Sequence, residues 1–566
     1  RKFRLTLGIT ACSDDNGGNG DNGDDDGDNL SDILFENGTQ LGNGADEMEI
    51  NGNYKLPKGV YVMKGWLYIT DGSSLEIEAG TVIKGDKATK AAIIAEPGGK
   101  LIARGRQDAP IVFTSNEPVG SRKPGDWGGI ILCGKAVNNQ GKMTIEGGLR
   151  TEHGGNDNAD NSGVLSYVRV EFAGNPFDTD QEINGVTFGS VGSGTQVDHV
   201  QVSYSNDDSF EWFGGSVNCK YLVAYHGWDD DFDTDNGFSG KVQFCLGVRN
   251  PGIADQSISN GFESDNNGNG TTQEPFTKTV FSNVTFVGPV GQDPAFQNTT
   301  EYIKGNGLNP NNGSRLGQFQ AAIQIRRNSH LSCFNSVAMG YPVGLLIEND
   351  KGSQTQEAAK NEVFKLNHIV FAGMGILGSD KNKSLQGGLC TDGTNIDATQ
   401  TAFSETYFNT ATGNVAYPAI ADLKLSQPNS MAASPNYGPL TGSPLLGAAD
   451  FTDVLLSSGF DKVSYIGFRL PTIHTVSFSL KFVSGSGFII FAVLLSIPIM
   501  MLSDMSASRI VFPINGEPLS TGNCPISISS CKDVSFPFLS TSFCSMDVRK
   551  LSNCRSVPTT VTLSYG

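Results

Sequence analysis

Between about Asn53 and Gly467 the chain repeats one theme: four to seven residues of alternating apolar character, then Gly, Asn or Asp. Leu101-Ile102-Ala103, Tyr167-Val168-Arg169-Val170-Glu171-Phe172, His199-Val200-Gln201-Val202-Ser203-Tyr204, Tyr221-Leu222-Val223-Ala224-Tyr225 and Asn283-Val284-Thr285-Phe286-Val287 are examples. Alternation of period two bounded by turn residues is the signature of short strands. The repeat has its own period, because Asp207-Asp208-Ser209-Phe210-Glu211 lies over Asp229-Asp230-Asp231-Phe232-Asp233 at an offset of 22 residues. A propeller blade needs about 40 residues and four strands, whereas a coil of two or three short strands fits about 22. The spacing therefore predicts a right-handed parallel β-helix, a single-stranded solenoid over 53–467, with a β-sandwich as the alternative. Tyr54 to Thr70 is expected to cap its N-terminal end. Ile77, Val82, Ile111, Val168, Val200, Phe210, Leu222, Phe232, Phe262 and Val284 are expected to point inward.

Composition supports an all-β, turn-rich chain. Of 566 residues 70 are Gly, with no collagen period, and the formal net charge is −19. An acidic chain without a Lys/Arg-rich strip repels phosphate backbones, which argues against a nucleic-acid partner.

The two ends differ from this body. Arg1 to Cys12 places basic residues before a short apolar stretch, the order of an export signal. Ile9-Thr10-Ala11-Cys12 has the form of a bacterial lipobox, so residues 1–12 read as a clipped lipoprotein signal with Cys12 as the lipid-bearing residue and the outer membrane as its anchor. Residues 13–52 open on an acidic Gly/Asn/Asp tract and read as a flexible tether holding the body at the cell surface. From 468 to 566 the strand rhythm stops, Ser becomes abundant and Cys524, Cys531, Cys544 and Cys554 crowd the end. The apolar run Phe488 to Leu502 falls short of the roughly 20 residues of a spanning helix. A membrane anchor, a small disulfide module and an out-of-frame stretch all remain open for this tail.

Chemistry concentrates in one recurring acidic pattern. Phe177-Asp178-Thr179-Asp180, Phe210-Glu211-Trp212-Phe213, Phe232-Asp233-Thr234-Asp235 and Phe262-Glu263-Ser264-Asp265 share it. Stacked in successive coils about 4.8 Å apart, the Phe residues form an inward ladder and the carboxylates an outward column. Two unit charges at that spacing repel by roughly 3.5 kcal/mol at an effective dielectric of about 20, and by under about 1 kcal/mol in open water. A groove walled by Trp212, Trp228 and Tyr225 therefore demands compensation by a cation, by basic side chains or by protonation. Oxygen donors in loops favour Ca²⁺, with Asp178, Asp180, Glu211, Asp233, Asp235, Glu263 and Asp265 as candidate metal ligands. The candidate ligand-binding face comprises Asp207, Asp208, Glu211, Trp212, Trp228, Asp229, Asp230, Asp233, Asp235, Glu263 and Asp265. Three readings stay open at this point: a cation site, a solvated acidic face that blocks edge pairing, and an acid pair of a polysaccharide lyase or glycoside hydrolase. Arg249 and Arg326 are candidates for a base, or for partners of the acidic column. No complete acid, base and stabiliser set is visible, and binding of a glycan or an envelope protein is the expected role.

Asp71-Gly72-Ser73-Ser74-Leu75-Glu76-Ile77-Glu78-Ala79-Gly80-Thr81-Val82-Ile83-Lys84-Gly85, Pro124-Gly125-Asp126-Trp127-Gly128-Gly129, Asn206 to Gly215 and Phe460-Asp461-Lys462-Val463-Ser464-Tyr465-Ile466-Gly467 resemble a family of Bacteroidota secreted lipoproteins. The resemblance spans about residues 45–467 and implies a β-helix of unassigned biochemistry on the cell surface. Some relatives carry transporter labels, but this chain shows no helical bundle with which to transport.

Overall fold

The computed structural model describes residues 40–145, 150–178, 181–309, 314–349, 351–380, 402–429 and 436–469, and the backbone of a few strands outside these. It divides into two units, Arg1–Leu470 and Pro471–Gly566. In the second, Ser530–Phe536 and Leu539–Ser545 form an antiparallel hairpin. The remaining residues after Arg469, like Cys12 and the acidic tract, lie outside the described residues.

The first unit is a right-handed parallel β-helix with three strand faces per turn. In the early turns the first two faces are separate strands: Lys100–Arg104 and Ile111–Ser115 both pair in parallel with the single strand Gly163–Glu171 of the next turn. From there on, each long strand carries both faces and bends between them. The bend falls on Tyr167, His199, Tyr221, Phe244, Asn283, Asn335 and His368, one per turn, each with a positive φ between 51° and 61°. Left-handed backbone costs roughly 1–2 kcal/mol in a residue with a Cβ. Stacking of the bend residues offsets part of that cost, with ring centroids 4.2 Å apart for Tyr167 and His199, 4.4 Å for His199 and Tyr221, and 4.9 Å for Tyr221 and Phe244.

The third face is an 11-stranded parallel sheet that includes Val186–Gly189, Phe210–Phe213, Phe232–Asp235, Phe262–Ser264, Ala321–Ile325 and Val343–Ile347. Phe210, Phe232 and Phe262 are in register and fully buried, with centroids 5.6 and 6.0 Å apart, so the inward aromatic ladder exists. The expected inward residues are buried except Val82, which is half-buried while Ile83 takes the inward position. In Thr81-Val82-Ile83 the apolar pair hides the parity of the strand, and a one-residue error exchanges inside for outside.

The coil begins upstream of residue 53. Gln40–Leu41 pairs with Val60–Met63 and Met48–Ile50 with Trp66–Ile69, so the end of the supposed tether is already strand. Tyr54 to Thr70 is accordingly a regular turn and no cap. At the other end, Asp450 to Phe468 returns along the bent corner as a strap. Gln243 and Asp461 bond each other twice through side chain and backbone, each at 2.8 Å. Asn283 donates to Tyr465 O, and Asn335 bonds Asp450 in both directions. The segment Phe460 to Gly467 thus earns its place by packing on the coil. Phe468, placed in the tail by its sequence, is 4% exposed and donates its N–H to Thr285 Oγ1 at 2.7 Å.

Candidate functional site

Alternation along the third face fixes which side chains leave the core. Phe210 points in, Glu211 out and Trp212 in, and the parallel register sets Glu211 beside Asp233 and Asp233 beside Glu263. The outward column thus holds one carboxylate per turn for three turns. The turn entering each strand adds a second column. Asp208 Oδ1 accepts the N–H of Asp230 at 2.7 Å, Asp230 Oδ1 accepts the N–H of Asn260, and Asn260 Oδ1 accepts the N–H of Ala321 at 3.0 Å. Each side chain in this ladder caps the backbone of the next turn, which explains an Asp or Asn there independently of any ligand.

The two columns face a cleft of about 440 Å³ lined by Asp208, Asp229, Asp230, Asp233, Ser257, Glu263, Arg326, Arg327, Glu348 and Lys351. Among the described residues two acidic triads offer oxygens within 4.8 Å of one another, Asp207 with Asp208 and Asp229, and Asp208 with Glu211 and Asp233. Asp208 belongs to both and is 7% exposed. Asp229 Oδ1 and Asp233 Oδ1 are enclosed without a hydrogen-bond partner, while Ser257 Oγ donates to Asp229 Oδ2. One turn further along the same face Arg326 bonds Glu263 and, at 2.8 Å, Asp265, and Arg327 bonds Asp265 at 2.5 Å. Arg326 is therefore a partner of the acidic column, and its guanidinium is committed to carboxylates.

Burial in this crowded acidic setting favours the protonated forms. Asp208 is raised well above the usual carboxylate range, first by burial and then by Asp207, Asp230, Asp229 and Asp233. Asp233 is raised by burial, Glu211 and Glu263, and Asp235 by burial and Asp265. Asp229 is raised likewise, by burial and then Asp230. Asp230 is pushed up to about 6 by burial, moderated by the N–H of Asn260 and by Arg249 and Arg326. Glu263 is raised to about 8 by burial, against the pull of Arg326. A multivalent cation would add to the partial compensation that Arg249 and Arg326 give Asp230 and Glu263, and the donor set of hard carboxylate oxygens fits one.

Three sequence expectations need correction. The Phe177-Asp178-Thr179-Asp180 segment is not a turn of the coil, because Pro176–Asp178 pairs antiparallel with Gln181–Glu182 in a separate small hairpin. Val186–Gly189 takes the place beside Phe210–Phe213, so Thr187 stands over Glu211 and Asp178 is outside the column, while Asp180 lies outside the described residues. Trp212 does not wall a groove. It is fully buried in the core, with centroids 5.3 Å from those of both Phe188 and Phe238. Trp228 is also fully buried, so neither indole presents a surface to a ligand. Ser257, Glu348 and Lys351 were not among the sequence candidates: Ser257 lies in the extra length before Phe262, while Glu348 follows Val343–Ile347, which keeps the 22-residue offset from Ala321–Ile325 but carries none of the acidic motif.

Residues 48–419 match the model of the pectate-lyase-like β-helix domain, and the chain belongs to that family. No curated protein and no solved structure matches it.

Proposed function

We propose that the chain is a non-catalytic, surface-anchored β-helix lipoprotein that binds an extended glycan or an envelope protein through a Ca²⁺-organised acidic cleft. The observation that carries this reading is the pair of carboxylate triads sharing the buried Asp208, with Arg326, Arg327 and Lys351 lining the same cleft. A cation held there neutralises the column and keeps coordination positions for oxygens of the ligand. Because Trp212 and Trp228 are buried, recognition rests on charge and coordination and does not use sugar stacking on indole rings. Arg326 and Arg327 are tied to Glu263 and Asp265, which argues against either serving as the base of a lyase. The Ile9-Thr10-Ala11-Cys12 sequence and the likeness to Bacteroidota secreted lipoproteins support an outer-membrane address with lipid on Cys12.

The test is a screen of the whole chain against acidic and neutral polysaccharides, with Ca²⁺ or with chelator, scoring both retention and release of reducing or unsaturated sugar ends. Retention that needs Ca²⁺, disappears in Asp208→Asn and releases no sugar supports the proposal. Sugar release abolished by Asp233→Asn or Glu211→Gln would replace it with an enzyme. Absence of retention, release and chelator effect would leave a solvated acidic face.

A further inference from the structure

Behind the acidic turn that carries Asp229 and Asp230 lies a buried charge that is not among the residues lining the cleft. Arg249 is 0% exposed and follows the long strand Lys241–Val248. Its Nη1 donates to Asp231 Oδ1 at 2.8 Å and its Nη2 to the carbonyl of Trp228 at 3.1 Å, while its guanidinium lies 5.3 Å from the centre of the Phe319 ring. Tyr341 closes the arrangement from two turns on, donating its hydroxyl to Asp231 Oδ2 at 3.4 Å. Arg249 therefore grips both ends of the four-residue turn Trp228–Asp231. The two residues between its grips, Asp229 and Asp230, are the ones whose carboxylates reach the cleft.

Other contacts fit the same frame. The Trp228 carbonyl also accepts Ser259 Oγ at 2.6 Å and the N–H of Asp255 at 3.1 Å, binding the turn to the loop whose Ser257 reaches Asp229. Space for the ion pair is reserved by Gly247, where a Cβ would stand 2.3 Å from Asp231 Oδ2. A buried, paired arginine is weak evidence of stabilisation, since a well-packed neutral pair of similar shape often serves a fold as well. What a neutral pair does not reproduce is the two-pronged hold on a carbonyl and a carboxylate.

We infer that Arg249 is the positioning residue of the acidic cleft, fixing the Trp228–Asp231 turn so that Asp229 stays within the triad it forms with Asp207 and Asp208. The inference rests on the cation reading of that cleft, but its first consequence, the rigidity of the turn, does not.

The test uses the full chain as wild type, Arg249→Lys and the double variant Arg249→Met with Asp231→Asn, which removes both charges and so avoids stranding one. Thermal melting confirms the fold, amide hydrogen exchange reports the turn, and titration calorimetry with Ca²⁺ alone reports the site. The expected result is a Tm close to wild type, exchange at residues 229–231 faster by at least tenfold in the double variant, and Ca²⁺ affinity weakened by tenfold or more, with partial recovery in Arg249→Lys. Unchanged exchange, or unchanged Ca²⁺ affinity in a folded double variant, would overturn the inference. Faster exchange in a protein whose wild type takes up no Ca²⁺ would leave Arg249 as the brace of the turn and overturn the cation reading instead.

Discussion

Asp208 accepts the backbone N–H of Asp230, one turn further along the coil, at 2.7 Å. The acid of one turn thereby builds the turn that presents the next acid. That coupling gives the cleft carboxylates two duties, capping backbone N–H groups and gathering charge. The first holds whether or not a ligand is present. The second has a cost in the cation-free protein, because the groups are close together and shielded from water.

Stability without cation should therefore fall as pH rises. A carboxyl whose folded pKa lies above its unfolded value contributes fully below the unfolded value, near 4, and loses that contribution as pH climbs through the folded one. Asp230 and Asp231, both raised to about 6 by burial, place the decline between about pH 4 and 6. Asp208 and Asp233, raised well above the usual range, extend it upward. Thermal melts in chelator across pH 4–8 should show a Tm that falls over the upper part of the range, and Ca²⁺ should flatten that slope. His153, His226 and His330, held down at about 3, 3 and 4 by burial, act in the opposite direction below about pH 6.5, so a Tm in chelator that rises between pH 7 and 8 is what would contradict the assignment.

The sequence carries the coil because alternation and the 22-residue offset are local properties, and Phe210, Phe232 and Phe262 stack as their spacing predicts. It fails where parity or insertion decides. Phe177-Asp178-Thr179-Asp180 copies the motif almost letter for letter, yet it stands 33 residues before Phe210, whereas the strand that pairs there begins 24 residues before it at Val186. A matching tetrapeptide does not set register; the length of chain needed to complete a turn does. Trp212 was legible in principle, since alternation from Phe210 sends it inward. Arg327 and Lys351 were not, because 61 residues separate Phe262 from its partner Ile323 and no period bridges that gap.

The aromatic ladder should dominate local stability. Phe232 is fully buried between Phe210 and Phe262 and near Phe281 and Phe286. Phe232→Ala should cost about 3–5 kcal/mol through lost transfer energy and the cavity left behind. In a solenoid each turn leans mainly on its neighbours, so hydrogen exchange should quicken in the adjoining turns and much less near Ile77. Uniform loss of protection along the coil would show instead that it melts as one unit.

The strap offers a separate test. Gln243 is fully buried and satisfies both backbone groups of Asp461, while its Nε2 also donates to Asn283 Oδ1 at 2.9 Å. Replacing it with Ala strands these partners, at about 1–3 kcal/mol. Gln243→Ala should open residues 458–462 to limited proteolysis before the coil itself is cut. Cleavage at the rate of wild type would mean that Lys241 on Ser458, Lys220 on Asp461 and the apolar contacts of Leu456, Phe451 and Phe460 hold the strap without the amide.

Asp178 and Asp233 sit in nearly identical sequences, and the fold assigns them opposite weights. Asp233 stands between Glu211 and Glu263 with Oδ1 enclosed and unpartnered, so Asp233→Asn forfeits no bond at that oxygen and removes a carboxyl whose ionised form burial and its neighbours disfavour in the folded chain. At neutral pH in chelator this variant should be more stable than wild type, by about 1–3 kcal/mol on the Coulomb scale of partly buried neighbours. Ca²⁺ should then bind at least tenfold more weakly, since one triad loses a ligand. Asp178 belongs to a hairpin outside the coil register, and Asp178→Asn should match wild type in Ca²⁺ titration. Melting curves in chelator and calorimetric titration of the two variants side by side separate these outcomes. Equal behaviour of both would mean that the column exerts no more force than any solvated acidic surface, and the cation site would have to be abandoned.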